Sequence, residues 1–136
     1  MAFTLITALA AAIAAPTTAA PVGASPIYEL RIYYPAPGKL AALNARFRNH
    51  TMKLFAKHGM RNVAYWNELP TKDMPQGRVI YVLAYPSKAA READWKAFGN
   101  DPEWQAVVAA SEADGKLVSK VDSAFMTATD YSPTRP

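Results

Sequence analysis

Between Ile27 and Tyr34 the chain reads IYELRIYY, an alternation that sorts Tyr28, Leu30, Ile32 and Tyr34 onto one wholly apolar face and Ile27, Glu29, Arg31 and Tyr33 onto the other. Period two over this length predicts a strand. The PAPGK that follows removes backbone donors and permits a tight turn. Helical spacing then takes over from Lys39 to Lys57, with Leu40, Leu43, Phe47, Leu54 and His58 recurring on one side and Gly59 placed as the C-terminal cap. A strand is expected at about 62–69 and another over Arg78–Tyr85, rich in branched and aromatic residues and antiparallel to its sequence neighbour. Ser87 suits the N-cap of a helix over Lys88–Phe98. Asp101 suits the cap of a second helical segment, with Pro102 in the tolerated first position and Trp104, Val107, Val108 and Ser111 on its buried side, where Trp104, like Trp95 before it, reads as helix-to-sheet packing. Gly115 releases the chain into a last strand at about 117–126, and TDYSPTRP reads as an extended tail.

The order β, α, β, β, broken α, β predicts an α+β protein, a ferredoxin-like sandwich with helices on one face of a four-stranded antiparallel sheet. The other face carries more Tyr, Trp and Val than a soluble monomer leaves wet, so a second copy placed sheet against sheet is expected, giving a homodimeric α+β barrel. With Tyr28, Leu30 and Ile32 beneath the helices, Glu29, Arg31 and Tyr33 would look into the barrel or the dimer seam. Tyr65 and Trp66 must point to opposite faces, and which of them lines an enclosed pocket stays open.

The amino-terminal segment changes the picture. No charged side chain precedes Glu29, and Phe3–Ala15 is apolar or hydroxylic before Pro16. That length fits the core of a signal peptide and falls short of the roughly 20 apolar residues a bilayer span needs. Residues 1–24 are therefore expected to be a signal peptide cleaved before Ser25, with Ala19 as the other possible cleavage site. This leaves a single domain over 25–136 in the periplasm or outside the cell, without stable membrane insertion. The chain contains no cysteine, which excludes disulfides and thiolate chemistry.

Charge is unevenly laid out. Of the residues behind the net charge of +4, Arg31, Lys39, Arg46, Arg48, Lys53, Lys57 and Arg61 fall in a stretch without acids, and Glu92–Asp114 is mainly acidic. Two complementary surfaces follow, with the basic stripe of the first helix facing acids of the second helical unit. No nucleic-acid partner is expected, because an acidic counterpart accompanies the basic residues and no reading motif is present. There is no glycine-rich phosphate loop, no HExxH and no placeable nucleophile triad, which argues against hydrolases and nucleotide enzymes.

The quoted segments YELRIYY, PGKLAALNARFRNHTMKLFAKHGMRNVAYW, AFGNDPEWQ and TDYSP together resemble the NIPSNAP family, within the wider dimeric α+β barrel group, over Ile27–Pro133. The resemblance implies a ferredoxin-like fold that pairs through its sheets. It implies no firm activity, since the wider group includes monooxygenases, isomerases and haem-dependent enzymes.

The candidate chemistry lies in the first helix and the strands beside it. His50 and His58 both fall on or beside the apolar stripe. Their roughly 12 Å separation along the helix axis rules out one shared metal, whose ligands each reach only about 2.0–2.2 Å. His58 beside Gly59 is explained by a helix-end contact. His50 in mid-helix is not, and an imidazole is the side chain suited to moving a proton near neutral pH. The leading expectation is a protein that binds a small apolar or aromatic molecule in an enclosed pocket of a homodimeric barrel, with Tyr33, Arg46, His58, Tyr65 and Trp66 as binding candidates and no cofactor. The alternative is a cofactor-independent monooxygenase or isomerase with His50 as base and Arg31 as polar anchor. The two differ in geometry: the enzyme needs His50 and Arg31 to meet at one void.

Overall fold

The computed structural model describes residues 25–133, so the expected leader and its cleavage site lie outside the described residues. The elements run β1 (Ile27–Pro35), α1 (Leu40–Arg46), a π turn (Phe47–Thr51), α2 (Met52–Lys57), β2 (Arg61–Asn67), β3 (Val79–Tyr85), α3 (Lys88–Gly99), α4 (Pro102–Ser111) and β4 (Val118–Thr127). The four strands form one antiparallel sheet in the order β2-β3-β1-β4, the ferredoxin-like arrangement. The local signals act as expected. Ser87 Oγ accepts from Ala90 N–H at 3.1 Å, and Asp101 Oδ1 accepts from Glu103 N–H at 2.8 Å, which caps α3 and α4. Gly59, at φ +86°, turns the chain out of α2. Gly77, at φ +71°, closes the 68–78 loop so tightly that an added Cβ would lie 2.2 Å from the Glu68 carbonyl oxygen.

Two expectations need correction. The first is the facing of β1. Register pairs Arg31 with Tyr81 and Glu29 with Leu83, and Tyr81 packs against Phe47 and Phe55 of the helical layer. Glu29, Arg31 and Tyr33 therefore lie beneath the helices, and the wholly apolar set Tyr28, Leu30, Ile32 and Tyr34 lies on the open face. Apolarity alone assigned the faces the other way round. It could not foresee that distant partners neutralise an inward carboxylate.

The second correction is the first helix. It is continuous over 40–57 but widens into a π turn at Phe47–Thr51, where Met52 N–H reaches back five residues to the Phe47 carbonyl. A π turn accommodates an extra residue. Arg48, Asn49 and His50 thus lie exposed in succession between buried Arg46–Phe47 and buried Thr51. The Thr51 hydroxyl donates to the Arg46 carbonyl at 3.2 Å, pairing an acceptor that regular helix bonding leaves free there.

The core lies between sheet and helices, built on Leu43, Phe47, Leu54, Phe55, Tyr81 and Leu83. The two helical units are laced by the charges expected from sequence. Arg46 binds Glu112 at 2.9 Å, Lys53 binds Glu103 at 3.1 Å, and Lys57 binds Asp101 at 2.7 Å. Hydrogen bonds from Lys57 and then from His58 hold the Asp101 carboxyl well below the usual carboxylate range.

The open sheet face has an apolar middle, with Leu30, Ile32, Ile80 and Val82 half-buried and Trp66 54% exposed. At one end Arg78 grips Glu68 through both carboxylate oxygens. Beside it the Tyr34 hydroxyl donates to Asp122 at 2.9 Å and Lys120 pairs with the same carboxylate at 3.0 Å. At the other end Tyr28 is 8% exposed, and its buried hydroxyl has no hydrogen-bond partner among the described residues.

Candidate functional site

Between the sheet and the helical layer lies a cavity of about 250 Å³. Its walls are aromatic: Tyr33 from β1, Phe47 and Phe55 from the first helix, Trp95 and Phe98 from α3, and Trp104 from α4. The first helix turns Phe47 and Phe55 inward at i, i+8 across the π turn, and α3 turns Trp95 and Phe98 inward at i, i+3, one helical face in each of the two. The rings brace one another, with centroids 4.5 Å apart for Phe98–Trp104, 4.9 Å for Phe55–Phe98 and 5.4 Å for Phe55–Trp95. The lining also includes Arg46 and Thr51.

Behind Tyr33 and Trp95 sits a charged cluster. The Glu29 carboxylate, 0% exposed, accepts from Arg31 Nη1 at 2.7 Å, from Arg91 Nη2 at 2.7 Å and Nε at 3.0 Å, and from the Tyr85 hydroxyl at 2.9 Å. Burial pushes the Glu29 carboxyl upward, but the hydrogen bonds from Arg91 and Arg31 outweigh it and hold the group below its ordinary value. Trp95 Nε1 donates to the Tyr85 hydroxyl at 2.8 Å. Arg31 also donates from Nε to the Tyr81 hydroxyl at 2.9 Å and lies 4.3 Å from the Trp95 ring centroid. The cluster thereby fixes Trp95 and Tyr33, two walls of the cavity.

On the outside, a groove of about 610 Å³ runs between the first helical unit and α4. Its bed is alanine-rich, and His50, Lys53 and Asn49 stand along it. Arg46 lines both this groove and the inner cavity.

The candidates from sequence are thus distributed. Tyr33 and Arg46 line the cavity. Arg31 supports it from behind, with its donors consumed by protein groups. His50 is exposed in the outer groove, so His50 and Arg31 do not meet at one void. His58 Nε2 lies 2.6 Å from Asp101 Oδ2 and ties α2 to the start of α4. Tyr65 stacks on Tyr81 with its hydroxyl donating to Asn62, and burial raises the Tyr65 phenol. Trp66 is on the open face. Both border a smaller surface groove at the β2 edge, and neither reaches the main cavity. Sequence reasoning treated Trp95 and Trp104 as packing only and passed over Phe55, Thr51 and Phe98 as site residues. The signal present was the repeated aromatic at helical spacing facing a tyrosine-rich strand. Among the described residues no group of His, Asp and Glu is placed to hold a metal ion, and no helix is long and apolar enough to cross a membrane.

These placements give separable outcomes for the two histidines. His58→Ala should lower stability by about 1 kcal/mol, because it breaks a hydrogen bond to a carboxylate that Lys57 still holds. His50→Gln should fall within about 0.5 kcal/mol of the parent, as exposed substitutions do. Urea denaturation midpoints compared side by side decide it, and a larger loss at His50 than at His58 would contradict the placement.

Fold and site together define a ferredoxin-like α+β domain with an aromatic cavity beneath its helices. The NIPSNAP family model matches residues 28–133, and the chain belongs to the NIPSNAP family. Its fold is shared by an uncharacterised NIPSNAP-like domain protein from Burkholderia xenovorans, at 19% identity and a TM-score of 0.69 over 83% of this chain and 93% of that one. It is also shared by a NIPSNAP family protein from Agrobacterium tumefaciens, at 24% identity and a TM-score of 0.66 over 81% and 99%. A Caulobacter crescentus chain provisionally assigned as an antibiotic biosynthesis monooxygenase is similar at 17% identity and a TM-score of 0.50, over 78% and 92%. At such identities the likeness concerns the fold alone. No curated protein matches the chain.

Proposed function

We propose that the chain is exported, loses residues 1–24, and acts as a sheet-to-sheet homodimer in which each protomer binds a small aromatic molecule beneath its helices. The observation that carries the reading is the cavity of about 250 Å³ walled by aromatic rings, which the chain's own side chains leave unfilled. It is slightly smaller than the about 300–1,000 Å³ of drug-sized sites, which limits the ligand to one or two rings. The binding reading is favoured over the base-catalysed one, because His50 lies in the outer groove and Arg31 is held by Glu29, Tyr81 and Tyr33.

Pairing of two copies is supported by the open face. Its apolar middle needs cover. Its charged end is neutral, with Arg78 against Glu68 and Lys120 against Asp122, so the face does not repel its own twofold image.

Gly99→Leu tests the cavity. Gly99 lines it at the end of α3, its φ lies in the ordinary range, and an added Cβ meets nothing within 4 Å. Leucine is also the better helix former by about 1 kcal/mol. Calorimetric titration with indole should show binding to the parent and at least about tenfold weaker binding to the variant, a loss of 1.4 kcal/mol or more, with an unchanged or raised Tm. Equal binding by both would place the ligand elsewhere.

A further inference from the structure

We infer that the cavity takes small aromatic carboxylates, gripped by Arg46 and approached along the groove between the first helical unit and α4. The inference rests on the proposed reading of the cavity as a ligand site and adds the class of ligand, the anchor and the route.

Arg46 is the last residue of α1, where the π turn begins, and it is 7% exposed. Only one of its three nitrogens is engaged: Nη1 donates to Glu112 Oε1 at 2.9 Å and to Ser111 Oγ at 3.3 Å. Nε and Nη2 form no hydrogen bond among the described residues. They are not sealed off either, because the one fully enclosed side-chain polar atom lacking a partner there is the Tyr28 hydroxyl. For a side chain so nearly buried, the open space within reach is the aromatic cavity and the groove, both of which it lines. The unused Nε–Nη2 edge is a face on which a guanidinium holds a planar carboxylate through two parallel hydrogen bonds. A carboxylate there satisfies donors that the protein leaves unmet.

The surroundings select what else the ligand carries. Trp104 lies under the guanidinium, its ring centroid 5.3 Å from Cζ. The remaining walls are Phe47, Phe55, Phe98, Trp95 and Tyr33, so the body of the ligand is an aromatic ring. A second charge would have no partner among them. In the groove outside, Lys53 and the one acid of the lining, Glu103, pair with each other, so the unused donor edge there is that of Arg46.

The test compares isosteres that differ in charge: benzoate against benzamide, and indole-3-acetate against indole-3-acetamide, titrated calorimetrically into the full chain. Each carboxylate should bind at least about tenfold more tightly than its amide, as charge-assisted hydrogen bonds require. Arg46→Gln should bring that ratio to about one, and Arg46→Lys, which keeps the charge without the fork, should restore only part of it. Glu112→Gln, which loosens the Nη1 tether, provides a second variant should Arg46→Gln melt early, and there the ratio should rise. Carboxylate and amide binding equally in the parent would overturn the inference and leave the cavity reading standing. If none of the four binds, both fall together.

Discussion

Glu29→Gln is expected to destabilise the protein by about 3–5 kcal/mol, the cost of removing one partner from a buried ionic group. The carboxylate is 0% exposed and compensates two guanidinium groups, Arg31 and Arg91, through four hydrogen bonds that also involve Tyr85. An amide of the same shape cannot neutralise either cation, and two like charges then face each other in a low-dielectric space. Equilibrium unfolding in urea measures the loss, and a value below about 1 kcal/mol would show that solvent screens the cluster. Glu29→Gln combined with Arg91→Leu should recover part of the loss, since the pair is coupled. The same site predicts the acid limb of stability. The folded Glu29 carboxyl titrates below its unfolded value, and so does Asp101. Their contribution is therefore fully present above the ordinary carboxylate range of about 4 and is lost as the pH falls through the depressed folded values. The limb should be shallower in Glu29→Gln than in the parent.

The second large effect concerns assembly. Leu30→Lys places a charge in the middle of the open sheet face, where Leu30 pairs with Val82 on one side and Ala124 on the other. In the proposed dimer the twofold axis brings that charge against apolar surface and near its own copy. The dimer dissociation constant should rise by at least about a hundredfold, equivalent to roughly 2.7 kcal/mol. The isolated protomer should lose at most about 1 kcal/mol, because the position is half-exposed and only strand preference changes. Sedimentation at micromolar concentration reads the outcome. A parent that is already monomeric, or a variant that stays dimeric, removes the sheet-to-sheet arrangement.

The features legible in the sequence are those whose causes are local. Ser87 and Asp101 cap their helices because a side-chain oxygen serves N–H groups two or three residues away, and β1 is a strand because its alternation is complete. The facing of β1 was not legible in the same way. Its inward side carries Glu29 and Arg31, made tolerable by Arg91 and Tyr85, residues far along the chain that no periodicity connects to them. His50 was placed on or beside the apolar stripe by assuming regular helical spacing, and a π turn shifts the helical phase without any mark in composition. Arg46 was legible as part of a basic stripe. Its place between cavity and groove depends on how α4 lies across the first helix. The cavity itself is what remains after the rings of several elements have packed, so Phe55, Trp95, Phe98 and Trp104 read equally well as core.

The π turn at 47–51 makes the first helix a phase-setting part. Residues on its two sides are matched to different neighbours: Arg46 to Glu112 of the α4 end, Phe55 to Tyr81 and Phe98. Winding the same residues as a regular helix would rotate one half against the other by about 100°, so only one set of partners could be kept at a time. Side-chain exchanges along this helix are therefore open to gradual change, whereas losing the widened turn while keeping its residues is an all-or-nothing step for cavity and core together.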